Sequence, residues 1–213
     1  MKRLVFHFDV ISPFAYLAFE RLPQVLEGIS HEVEYRPVLF AGMLQHWGNI
    51  GPAEIEPKRA WTFRHVHWVA ASHGIRLDTP ALHPFNPLPL LRLALASAPD
   101  LRPNRRVVEE IFRHVWHGGG DPGDVQRLAV LNGRLAPVHD PAGVTVKQAL
   151  RDNTESALAA GVFGVPTLEI EGRHFWGLDA LPMVRDALLG GAWFQGPAWD
   201  AEGLPRQGVV RPR

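Results

Sequence analysis

Apolar residues crowd the start of the chain as Leu4, Val5, Phe6, Phe8 and Val10, and the run ends at Ser12-Pro13. This predicts a buried strand running into a helix, because serine is a favoured N-cap and proline is favoured at the first helical position. Ala15, Leu17, Ala18, Leu22 and Val25 carry that helix to near Gly28. From Glu32 to Leu39, Val33 and Tyr35 alternate with Glu34 and Arg36, the mark of a second strand with one solvated face. The opening therefore spells β-α-β, a parallel pair joined by a crossover helix.

The middle of the chain reads differently. Gly42 to Pro57 holds three glycines and two prolines without a period, which predicts a loop. Ala60 to His73 sets Trp61, His65, Trp68 and Ser72 on one helical face and Phe63, Val66 and Ala70 on another. Leu88 to Ser97 reads as a short apolar helix, and Val107, Val108, Ile111, Phe112 and Val115 recur at helical spacing. Asp121-Pro122 heads a helix containing Val125, Leu128 and Ala129, and Val144 to Ala160 makes another. The strand pattern returns at Thr167 to Ile170, turns tightly at Glu171-Gly172 and comes back through His174 to Trp176. Leu178 to Leu189 is a last helix, ended by Gly190-Gly191. The expected class is α/β. Residues 1–41 and 162–193 form two halves, β-α-β and β-β-α, around an inserted α-helical domain at 42–161. The tail, 194–213, lacks periodicity and is expected to wrap the surface or be disordered.

Charge narrows the function. The 213 residues carry 22 basic and 22 acidic side chains, so no net field draws in nucleic acid or an anionic membrane. The chain has no cysteine, which excludes a disulfide framework, a zinc-thiolate site and a cysteine nucleophile. The first apolar run is broken by His7 and Asp9 and is too short and polar for a signal peptide. The richest apolar stretch, Leu88 to Ala98, carries Arg92 and falls short of the ~20 residues a membrane span needs. A soluble, cytoplasmic protein is expected. No metal is expected either: His65 and His67 diverge on a helix, and nothing completes a site around His114 and His117.

The segment Asp9-Val10-Ile11-Ser12-Pro13-Phe14-Ala15-Tyr16-Leu17-Ala18 resembles the 2-hydroxychromene-2-carboxylate isomerases and kappa-class glutathione transferases, within the wider DsbA-like group. Asn49-Ile50-Gly51-Pro52, Lys58-Arg59, Gly161 to Thr167 and Trp176-Gly177-Leu178-Asp179 extend the resemblance in the same order, the tail excepted. It implies a thioredoxin-like fold interrupted by a helical domain. It also implies an enzyme of aromatic-compound catabolism that uses glutathione or another low-molecular-weight thiol. The substrate would be a small aromatic molecule, 2-hydroxychromene-2-carboxylate or a similar enone acid, isomerised by reversible thiol addition, and the assembly a homodimer.

Where a thioredoxin-like redox enzyme places cysteine, this chain has Ser12, at a helix N-terminus whose unpaired N–H groups favour a thiolate. Ser12 suits activation of a borrowed thiol, or simply caps the helix. The resemblance implies that Ser12 contacts the sulfur and that Val165-Pro166 is cis and pairs with a peptide-like thiol; otherwise Pro166 merely leads a strand. It further implies that Trp176, Gly177, Leu178 and Asp179 bind the γ-glutamyl end, although Asp179 could instead cap the last helix. Lys58 and Arg59 could hold a substrate carboxylate or be a solvated pair. Asn49 and Asn86 could reach a pocket or serve as turn residues. Phe85, with Phe14, Trp47, Trp61 and Trp176, could wall that pocket, although aromatics at helical spacing usually belong to the core. Two departures bear on the substrate: Met43 or Leu44 stands where some isomerases have lysine, and Phe85 where tyrosine is common. The alternatives are a kappa-type transferase, which leaves the thiol on its product, and a non-catalytic DsbA-like protein that only holds thiols or peptides.

Overall fold

Strand β1 (Lys2–Phe8) and helix α1 (Pro13–Val25) lead to strand β2 (His31–Pro37), which runs parallel to β1 with Lys2 opposite His31 and Phe8 opposite Pro37. Helices α2 (Phe40–Trp47), α3 (Glu56–Ser72), α4 (Leu88–Ala96), α5 (Arg105–Trp116), α6 (Val125–Leu135) and α7 (Val144–Ala159) follow. The chain then returns to the sheet as β3 (Thr167–Ile170) and β4 (Arg173–Trp176) and ends in α8 (Leu181–Leu189). β3 lies antiparallel to β1, with Val5 opposite Glu169 and His7 opposite Thr167, and the strand order is β2-β1-β3-β4. The structure, a computed structural model, describes residues 1–196 together with Trp199 and Gly208.

Alternation in β1 sends Leu4, Phe6 and Phe8 to one face, where all three are buried. Phe8 meets Phe112 of α5 at 5.4 Å between ring centroids, and Phe19 of α1 meets Phe112 at 5.2 Å. One continuous cluster of buried side chains thus runs from the sheet through α1 and α8 into the inserted helices. The two halves of the sheet and the insertion share a core. Glu171 and Gly172, with φ of 51° and 78°, make the two-residue turn between β3 and β4.

The stretch from Gly42 to Pro57 is not one loop. It contains most of α2 and a 3-10 turn at Pro52–Glu54. Phe40, Met43, Leu44 and Trp47 stand at helical spacing, and Met43 is fully buried beside Val162 and Val165. Gly42 breaks nothing, and Gly48 ends the helix with a φ of 65°. Helix α3 also begins earlier than its apolar pattern suggests, at Glu56. Most of the expected tail lies outside the described residues. Within them, Phe194 ends a 3-10 turn and packs, with Trp199, against Phe175 at 5.8 and 5.1 Å.

Phe112 touches β1, α1 and Tyr16 at once, and truncating such a residue loses its burial and leaves a cavity. Phe112→Ala should lower the unfolding free energy by about 3–5 kcal/mol. Urea denaturation would show this as a lower midpoint at unchanged slope.

Candidate active site at the head of the first helix

Between β1 and α1 the chain turns in four residues, Asp9 to Ser12, closed by the Ser12 N–H donating to the Asp9 carbonyl at 3.1 Å. Ser12 is the N-cap of α1. Its backbone is extended, Pro13 follows at the first helical position, and its Oγ accepts the Ala15 N–H at 3.2 Å. The same hydroxyl donates to the Val165 carbonyl across a long 3.4 Å. The Phe14 N–H has no partner among the described residues. Two groups from the inserted segment hold the turn from outside. Trp116 Nε1–H donates to the Val10 carbonyl at 3.1 Å, and His83 Nε2–H donates to the Ile11 carbonyl at 2.9 Å. That bond leaves the lone pair of His83 on Nδ1, and burial, aided by the positive charge of Arg59, holds the ring's pKa below its ordinary value.

Opposite Ser12, the Val165-Pro166 bond is cis. Thr167 Oγ1 donates to the Gly164 carbonyl at 2.7 Å, and the Gly177 N–H donates to the Pro166 carbonyl at 2.9 Å. The second bond docks the end of β4 onto this segment. A Cβ on Gly164 would stand 2.7 Å from the Trp176 indole nitrogen, so only glycine permits the approach. Gly177 has a φ of 97°, and a Cβ there would collide with the Asp179 carboxylate. Asp179 caps no helix: it is exposed, and its carboxylate folds back over Gly177. Ser12, Val165, Pro166, Trp176, Gly177, Leu178 and Asp179 are therefore brought together along one edge of the structure.

The other candidates are less uniform. Arg59 reaches the electrostatic environment of His83, and through it the Ser12 turn, whereas Lys58 is exposed and makes no ion pair among the described residues. Asn49 follows α2, its N–H donating to the Leu44 carbonyl at 2.8 Å and its side chain exposed. Asn86 serves as a turn residue, with Oδ1 accepting the Leu88 N–H at 3.1 Å. Phe85 packs edge-on to His83 at 6.1 Å, and Phe14 meets His65 at 5.8 Å. Trp61 lies on the outer face of α3, 64% exposed and stacked on His65. Two large clefts lie away from Ser12. One of about 820 Å³ borders Leu22, Val33 and Tyr35, and one of about 630 Å³ borders Arg113, His117 and Arg127.

The family model of the DSBA-like thioredoxin domain matches residues 3–189. The chain belongs to that family. Among its relatives is the glutathione S-transferase kappa 2 of Caenorhabditis elegans, 30% identical over 92% of this chain and 95% of that protein. The 2-hydroxychromene-2-carboxylate isomerase of Sphingobium xenophagum is 28% identical over 88% of this chain and 98% of its own length. A solved 2-hydroxychromene-2-carboxylate isomerase has the same fold, with a TM-score of 0.77 at 24% identity over 91% of this chain and 97% of that one. Among the described residues of this DSBA-like chain, no helix is long and apolar enough to cross a membrane.

Three site residues escaped the sequence reading: Asp9, His83 and Trp116. Asp9 is fully buried, and its carboxylate meets backbone donors only. Oδ1 accepts the Ile11 N–H at 3.1 Å, and Oδ2 accepts the Phe40 N–H, at the head of α2, at 2.9 Å. Burial pushes its pKa up to about 7, against the pull of the Phe40, Ile11 and Val10 N–H groups. An acidic residue at the end of an apolar run, three places before a helix cap, was the available signal. Nothing local marks His83 or Trp116.

A carboxyl whose pKa is raised by folding keeps a proton that the unfolded chain has released. Asp9 thus contributes most to stability below pH 4, near its ordinary value of 3.8, and that contribution is lost as pH rises through about 7. Asp9→Asn has no such titration. Between pH 5 and 8 the unfolding free energy of the wild type should fall relative to the variant by about 2–3 kcal/mol. A difference independent of pH, by urea titration at both values, would return Asp9 to ordinary behaviour.

Proposed function

We propose that this chain is a glutathione-dependent isomerase acting on 2-hydroxychromene-2-carboxylate or a similar aromatic enone acid, by reversible addition of the thiol. The observation that carries the reading is the meeting of the Ser12 hydroxyl, at the head of α1, with Val165 beside a cis proline in a chain that has no cysteine. The donor set fits such a ligand. The Val165 N–H has no partner among the described residues and its carbonyl holds only the long bond from Ser12, so both can pair with a peptide-like thiol as an added strand. Asp179 offers an exposed carboxylate to an α-ammonium, and Arg59 offers a cation to a carboxylate.

Bound glutathione would supply a nucleophilic sulfur able to add to, and leave from, an unsaturated carbon. Ser12 gives up the weak bond to Val165 and turns its O–H toward the sulfur, while the Phe14 N–H and the dipole of α1 add positive potential at the same place. Arg59, Lys58 and Asn49 steady the carboxylate or enolate of the substrate, and Phe85 and Asn86 border its ring. Cytoplasmic location and homodimeric assembly belong to the same reading. The transferase reading draws support from the kappa-class relative, which at 30% identity stands level with the isomerases.

Removing the Ser12 hydroxyl deletes a hydrogen bond to a charged group, worth about 1.5–3 kcal/mol or about one to two pKa units. In Ser12→Ala the thiol of bound glutathione should therefore titrate higher by that amount, as read from thiolate absorbance. Equal values in the two complexes would leave Ser12 a helix cap. Turnover separates the isomerase from the transferase. Glutathione far below the substrate concentration should support many cycles on the chromene carboxylate, and neutralising Lys58 and Arg59 should slow them with glutathione affinity nearly unchanged. Stoichiometric loss of free thiol, with a stable sulfur adduct by mass spectrometry, would select the transferase.

A further inference from the structure

An ionised carboxylate is costly to bury unless a cation meets it, and Asp9 has none: among the described residues its oxygens touch only the N–H groups of the turn and of Phe40. The titratable side chain tied most directly to the turn is His83, which donates to the Ile11 carbonyl and whose pKa burial holds below its ordinary value. Asp9 and Ser12 are the two ends of one closed four-residue turn, joined by the 3.1 Å bond between the Asp9 carbonyl and the Ser12 N–H. Ser12 caps α1, and the Asp9 carboxylate accepts the Phe40 N–H at the head of α2. A sulfur anion held at Ser12 would stand at the opposite end of that closed turn from a buried carboxylate, in a medium that screens less than water.

We propose that Asp9 and the sulfur held at Ser12 share one negative charge: as the bound thiol loses its proton Asp9 takes one up, and as the thiol is re-formed Asp9 gives it back. This rests on the reading of Ser12 as the partner of the sulfur. In the balance an S–H bond breaks and an O–H bond forms on the Asp9 carboxyl, no electron moves, and the net charge of the site stays constant. The protonated carboxyl still accepts one of its two N–H bonds, so the turn keeps an anchor in both states. Asp9 is then a positioning residue that also stores a proton for the return step.

The sign of one substitution tests this. A purely structural Asp9 would, on removal, loosen Ser12 and raise the pKa of the bound thiol. A charge-coupled Asp9 would lower it. Thiolate absorbance of the glutathione complexes should show the thiol titrating about one unit or more lower in Asp9→Asn, about tenfold more thiolate at a pH below both values. An equal or higher thiol pKa in a folded variant overturns the proposal. Should the variant not fold, carboxyl-carbon NMR of the wild type decides. The Asp9 titration should move to higher pH with glutathione and stay in place with S-methylglutathione, which has no ionisable sulfur. Identical titrations with the two ligands overturn the coupling alone. Failure of the wild type to bind either ligand overturns the reading of Ser12 and the coupling with it.

Discussion

A four-residue turn holds a hydroxyl in place here only because its backbone is tied to three distant parts of the chain. Asp9 accepts from Phe40 at the head of α2, the Val10 carbonyl takes the Trp116 indole N–H from the end of α5, and the Ile11 carbonyl takes the His83 ring. Each bond satisfies a polar group that would otherwise be buried without a partner, so loss of any one carries a desolvation penalty as well as the loss of the bond. The turn is over-determined. That is the condition for Ser12 to present its oxygen at one fixed position instead of a range of positions.

The inserted helices are accordingly part of the site's mechanics. Trp116 and His83 come from the insertion, and Phe112 of α5 wedges between β1 and α1, so the shared core carries the orientation of α5 into the turn. The residues proposed for the substrate are placed otherwise. Lys58 and Arg59 lie in the first turn of α3, both exposed, and the charge of Arg59 reaches the Ser12 turn by way of His83. The Ser12 turn is held by buried bonds, while the cations proposed for the substrate stand in solvent. Substitution can change the second without disturbing the first.

What could be read from the chain follows the range of the forces involved. The cap at Ser12, Pro13 behind it, the Glu171-Gly172 turn and the β-α-β and β-β-α halves obey rules acting over a few residues, and those features were legible. Helix α2 was also written locally, in Phe40, Met43, Leu44 and Trp47, but Gly42 and the nearby prolines masked it. His83 and Trp116 reach the turn across 72 and 106 residues of chain, and no short-range pattern encodes such a partner. His7 and Asp9 are the instructive pair. They interrupt an apolar strand and so read as polar breaks, yet both are fully buried. His7 is held by Glu169 at 3.1 Å on the sheet, and Asp9 by N–H groups beyond its end. Sequence shows that a polar residue sits in a strand; only the fold shows whether it faces water or a partner.

The proposed role of Ser12 beyond that of a helix cap draws on the distribution of unmade bonds. Around the turn, backbone and side-chain groups pair at 2.9–3.2 Å. The exceptions fall together: the Ser12 hydroxyl is stretched to 3.4 Å from Val165, and the N–H groups of Phe14 and Val165 have no partner among the described residues. Capping alone accounts for the bond to Ala15 and for the open Phe14 N–H at a helix start, but not for the open N–H of Val165 in the facing segment. A hydroxyl held at 3.4 Å and two open N–H groups in the neighbouring backbone are the donors that the proposed thiolate and its peptide backbone would need. On the proposed reading, a chain without cysteine borrows that thiolate from a bound ligand.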